Sequence, residues 1–177
     1  MPSQVLIPKF LAPGVIKAPG DELLGLVVSN MTSLQAATQR RTDCHVVVLG
    51  PGMQVVSEAG PLEWPNYPLK PVVVYETSLG DKAAWPYKFD EIARCKAIQL
   101  WQDRNDGGSA IQPHLLFPGD APYWGGVKRK GLVSVCSGFK EHVDRMIAGM
   151  LADLFIGLAY DAWVKSPDKR DDVCFLA

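Results

Sequence analysis

The sequence predicts a mixed α/β fold, and three observations carry that prediction. Residues 131–137 (Gly-Leu-Val-Ser-Val-Cys-Ser) are small, β-branched and uncharged, and a strand without charge on either face is covered on both sides. Val143, Ile147, Met150, Leu151, Leu154 and Leu158 recur at steps of three and four, the apolar stripe of a long helix that runs to about Trp163. Leu24, Val27, Val28, Met31 and Leu34 repeat that period just ahead of a second buried strand at residues 44–49. At 177 residues the chain has the length of one domain with a substantial core.

Taken in order, residues 1–20 hold Pro2, Pro8, Pro13 and Pro19, which break helices and predict an extended arm. Asp21 is placed to N-cap the first helix, which runs to about Gln39. After the strand at 44–49, Gly50-Pro51-Gly52 reads as a tight turn, with residues 53–57 returning antiparallel. Residues 61–86 are rich in proline and aromatic rings, including Trp64, Tyr67 and Trp85, with a short strand at 72–75. A loop of that length and composition predicts a pocket lid or an interface.

The second helix is expected over residues 89–103, with Phe89, Ile92, Ala93, Ala97 and Leu100 on its buried stripe. Lys96 falls on the same stripe, so its ammonium either snorkels or points into a cavity. Residues 111–117, interrupted by Pro113, suggest an edge segment. Lys128-Arg129-Lys130 reads as a solvated turn, Gly138 as the bend into the long helix, and residues 164–177 as a polar tail.

Composition narrows the function. The net charge is −1 with 21% charged residues, so no strong field draws the chain to nucleic acid or an anionic membrane. No apolar run of about 18 residues is evident, and a cytoplasmic location is expected. Cys44, Cys95, Cys136 and Cys174 are widely separated, and the three histidines are never paired at a ligand spacing; reduced thiols and no metal site follow. The C-terminal Cys174-Phe175-Leu176-Ala177 fits the loose prenylation pattern, but its acidic flank Asp171-Asp172 argues against it.

The candidate site gathers around the long helix. His142 lies in its first turn, where the helix dipole disfavours the imidazolium and leaves a neutral base or ligand. Asp144, in the same turn, is either a catalytic candidate or an acid that compensates the dipole. Lys96 is a candidate cation or nucleophile. Tyr123 and Trp124 offer stacking faces beside Gly125 and Gly126, where backbone can approach a ligand closely, and Trp85 belongs to the aromatic loop. Phosphate loops, nucleophile elbows and dinucleotide fingerprints are all missing.

The stretches Gly125-Gly126-Val127, Ser137-Gly138 closing an uncharged strand, Asp144, and Ile92-Ala93-Arg94-Cys95-Lys96-Ala97 occur in this order. Together they resemble the GlcG/HbpS family, relatives of the corrinoid- and haem-binding C-terminal domain of PduO, over roughly residues 20–163. The resemblance implies a single domain of α+β layout, an antiparallel sheet of about five strands flanked by helices, and assembly as a homo-oligomer. It places a matched acid at Asp144. It also implies a haem-binding or haem-sensing function, with His142 or His114 as axial ligand.

Against that stands a reading from the residues alone: an enzyme without a cofactor, whose apolar, ring-lined pocket folds a small metabolite. Orientation of that kind suits cyclisation (pericyclic closure included), isomerisation or lyase chemistry. The five tryptophans and five tyrosines favour this reading, with haem as the alternative.

Overall fold

A computed structural model describes residues 4–31, 41–55, 69–105, 111–170 and 172. The elements are β1 (Gln4–Leu6), α1 (Pro13–Met31), β2 (Cys44–Val55), β3 (Leu69–Leu79), α2 (Phe89–Trp101), β4 (Gly126–Arg129), β5 (Leu132–Ser137) and α3 (Glu141–Lys165). They form the predicted α+β domain, a five-stranded antiparallel sheet flanked by helices.

The middle of the sheet is β2. One edge of it pairs with β3, from Cys44↔Leu79 to Met53↔Leu69. Its other edge pairs first with β5, from His45↔Ser137 to Leu49↔Val133, and further along with β1, at Leu6↔Met53. The short β4 closes that side by hairpin pairing with β5.

Strand alternation then divides the core between two faces. Cys44, Val46, Val48, Leu132 and Cys136 lie with Ile16 and Leu24 of α1 and Ile147, Leu151 and Phe155 of α3. Val47, Leu49, Val133 and Val135 face Ala93, Ala97 and Leu100 of α2. The sheet is thus a middle layer, with α2 on one side and α1 and α3 on the other.

By length and composition α3 would also pass for a membrane-crossing helix. Its inner stripe of Val143, Ile147, Leu151 and Phe155 is fully engaged with the core, while Arg145, Asp153 and Asp161 punctuate the outer face.

Four sequence expectations are corrected. First, the arm is not extended throughout: α1 begins at Pro13, eight residues before Asp21, and runs through Pro19. Proline is well suited to the first helical position, where its missing N–H is not needed. Pro19 removes one intrahelical bond, but Ile16 and Leu24 on either side of it are completely buried, and that packing overrides the local penalty.

Second, Gly50-Pro51-Gly52 is not a turn, because β2 runs straight through it. The glycines make room for side chains of β3: a Cβ on Gly52 would lie 2.3 Å from Val72 Cγ1. Pro51 stands opposite Pro71, in the gap between the end of β5 and the start of β1. Neither neighbour needs its absent N–H there. The true partner of β2 is β3, far longer than the four residues expected.

Third, the basic run is mostly strand. Lys128 and Arg129 belong to β4, and only Lys130-Gly131 turns, with φ of +47° and +84° beneath the Arg129↔Leu132 pair. That is a two-residue hairpin of type I′. Open space surrounds a Cβ at Gly131, so Gly131→Ala should cost only the backbone strain, about 1 kcal/mol, read from the urea midpoint.

Fourth, residues 111–117 form no edge strand; Pro113–Leu115 is a single 3-10 turn. Leu34, Trp64, Tyr67 and the C-terminal Cys174 motif lie outside the described residues.

Candidate functional site

The site forms where β5 ends. Gly138 follows Ser137 with φ of +152°, and a Cβ there would sit 2.3 Å from the carbonyl oxygen of Asp43. Only glycine lets the chain pass so close to the start of β2 and turn at once into α3. Lys140 is the N-cap of α3 and gives it no side-chain cap.

One turn later Asp144 is 3% exposed, and Lys96 of α2 is 2% exposed. Their charged groups meet: Lys96 Nζ donates to Asp144 Oδ2 at 3.2 Å and to the carbonyl oxygen of Cys136 at 2.7 Å. The Phe139 N–H donates to Asp144 Oδ1 at 3.1 Å. Because α2 and α3 cover opposite faces of the sheet, this ion pair reaches round the end of β5 to join the two outer layers. Burial pushes the Asp144 carboxyl up to about 6, against the pull of the Lys96 ammonium and the Phe139 N–H.

The pair lies on the wall of a cavity of about 220 Å³, open on one side to solvent. Tyr87, Phe89, Ile92, Tyr123 and Phe139 supply its apolar lining, and Arg41, Lys140 and Glu141 its remaining charges. A carboxyl that gains and loses its proton near neutrality, held against an ammonium in an apolar recess, can act as a general acid or base.

Of the sequence candidates, Lys96, Asp144 and Tyr123 come together here. His142 does not. Its side chain is exposed and lines a separate, shallow groove with Met146, Met150 and Arg129, because one step along a helix turns a side chain about 100° from its neighbour. Trp124 is half-buried and outside the cavity lining.

Trp85 stands behind the wall, its ring 5.3 Å from Phe89 and edge-on to His45 at 6.3 Å. Gly125 and Gly126 do not present backbone to a ligand. A Cβ on Gly125 (φ +115°) would come within 2.8 Å of Asp144 Cβ, and one on Gly126 within 2.7 Å of Val135 Cγ2. Both serve close packing, the first by admitting the start of α3.

Sequence reasoning missed Arg41 and Phe139 as lining residues and treated Phe89 as core alone. Arg41 donates to the carbonyl oxygen of Gly138, 97 positions away, at 3.4 Å; no local pattern marks such a partner. His45, at the start of β2, is buried between Ser78 Oγ and Glu76 Oε1, each at 2.8 Å. Its burial lowers its pKa despite the Glu76 carboxylate.

No family model, curated protein or solved structure matches this chain. The geometry therefore bears the whole functional argument. This cavity is small for a macrocycle, and no histidine lines it. His114 is exposed on the Pro113–Leu115 turn, so neither proposed axial ligand faces the recess.

Proposed function

We propose that this domain is an enzyme without a cofactor, moving a proton on a small apolar metabolite held in the ring-lined cavity, as an isomerase or lyase. The observation that carries the proposal is the buried Lys96–Asp144 pair on the wall of that cavity. In the reaction, the Asp144 carboxylate removes a proton from a carbon next to a carbonyl, and the Lys96 ammonium hydrogen-bonds to the oxygen on which negative charge develops. Isomerisation is completed when the Asp144 carboxyl returns the proton to a different carbon. In a lyase the same electron pair instead expels a leaving group from the next carbon, which takes the proton with it.

The rings hold the reacting carbon against the carboxylate, and this orientation is a substantial part of the rate. The test is deuterium exchange in D2O, followed by NMR, on a panel of small enolisable ketones and keto acids that includes phenylpyruvate. The folded protein should accelerate exchange on at least one, and Asp144→Asn should remove at least about 100-fold of that acceleration. Equal rates for the two proteins, or no acceleration across the panel, would sink the reading.

A further inference from the structure

We infer that the cavity selects a small carboxylic acid with a flat, apolar body, its carboxylate held at the mouth by Arg41 and Lys140. This rests on the cavity being a substrate site, and it adds the class of substrate.

The charges at the mouth do not balance. Inside, Lys96 and Asp144 neutralise each other. Around the opening, Arg41 and Lys140 face a single carboxylate, Glu141. Among the described residues, neither Arg41 nor Lys140 has an ion-pair partner, and the one hydrogen bond seen for Arg41 is the 3.4 Å contact with Gly138. A guanidinium has five N–H donors in a planar fork that matches a carboxylate. Most of that fork carries no other bond among the described residues, and Arg41 lines the cavity.

Lys140 strengthens the argument by being in a poor place for stability. It is the N-cap of the 25-residue α3, where the partial positive charge of the helix end repels a cation and favours an anion. Residues suited to capping are Ser, Thr, Asp and Asn, and none is present. Glu141 and Asp144 in the first turn already offset the helix dipole, so the charge left for a bound anion to neutralise is that of Arg41 and Lys140 at this opening. Breaking a local rule in this way is characteristic of a functional position.

Rings share the lining with the cations. Tyr87, Phe89, Tyr123 and Phe139 line the recess, and planar groups stack well on such faces. A volume of about 220 Å³ is below the roughly 300–1,000 Å³ of ordinary ligand pockets, which limits the body to about one ring. In this arrangement the carboxylate pairs with Arg41 and Lys140 and the ring stacks on the aromatic walls, in the same cavity that Asp144 lines.

The probes are trans-cinnamate and its neutral isostere cinnamamide, titrated calorimetrically and followed by amide NMR shifts at Lys96, Ser137 and Gly138. Cinnamate should bind at least about tenfold more tightly than cinnamamide, as expected for charge-assisted hydrogen bonds. In Arg41→Gln/Lys140→Gln, cinnamate should fall to the level of cinnamamide, whose own affinity stays unchanged. Arg41 is half-buried and Lys140 exposed, and an unaltered melting temperature will confirm that the variant folds. Equal binding of the two probes, with shifts at those residues, overturns the inference and leaves the cavity a ligand site. Binding of neither, or cinnamate affinity unchanged in the variant, overturns the inference as well, and the former removes the substrate-site reading with it.

Discussion

Lys96→Met should destabilise the fold by about 3–5 kcal/mol at neutral pH, the cost of leaving a buried carboxylate without its partner. Asp144 is 3% exposed, and with Lys96 gone it keeps only weak support, from the Phe139 N–H and the Cys136 thiol. The Cys136 carbonyl also loses its 2.7 Å donor, a smaller penalty that adds to the first.

The loss should not reappear in full when both charges are removed. Lys96→Met/Asp144→Leu replaces the pair by apolar side chains of similar size, and such exchanges are commonly neutral or even stabilising. Urea denaturation of the wild type, both single variants and the double variant completes the cycle. A single-variant cost below about 1 kcal/mol would mean that water reaches Asp144, as for an ordinary surface pair. If the double variant were as unstable as Lys96→Met, the pair would be contributing net stability rather than mutual neutralisation.

The cycle bears on function because the pair is not needed to build this core. The rows of Val46, Val47, Val48, Val133 and Val135 already specify a sheet buried on both faces. An enzyme reading gives a reason for keeping two charges where apolar residues would serve the fold at least as well.

How much of this was visible in the sequence follows from how local each signal is. The long helix and β5 were legible because periodicity and absence of charge are properties of consecutive residues. α2 was placed within two residues of its end for the same reason. The hairpin at Gly50-Pro51-Gly52 was misread because glycine and proline mark both tight turns and places where another backbone or side chain comes close. Deciding between these needs the partner strand, and Val72 is the residue that fills the space above Gly52.

The helical start at Pro13 was hidden by the opposite effect, since a proline that breaks a helix in its interior opens one at its first position. At the site, Lys96 was legible as a misfit, a charge on a stripe otherwise apolar, and Asp144 as an acid in the first turn of the long helix. Their pairing was not, because they lie 48 positions apart on helices covering opposite faces of the sheet. His142 was attractive for its chemistry alone, yet the helix turns it away from the recess that its neighbours Glu141 and Asp144 line. The Arg41 contribution depends wholly on topology.

The acid-side stability of the protein should carry the signature of Asp144. Burial holds its folded-state pKa at about 6, above the ordinary 3.8, so between these values the folded state binds more protons than the unfolded chain. Stability must then fall as pH rises across that window. The contribution is fully present below about pH 4 and is lost as pH passes through about 6, an amount on the order of 3 kcal/mol for a difference of this size.

Groups such as Asp120, which Arg104 holds down at about 2, slope the other way and obscure the effect in the wild type alone. Subtracting the unfolding free energy of Asp144→Asn at each pH removes them, because they are common to both proteins. The Asn variant leaves the Lys96 ammonium unpaired, which shifts the difference by a constant in this window and does not alter its slope. Wild type minus variant should therefore decline from about pH 4 to about pH 6. A flat difference would place the Asp144 carboxyl near its ordinary value, ionised throughout this range, and a group so easily ionised would be a weak base for taking a proton from carbon.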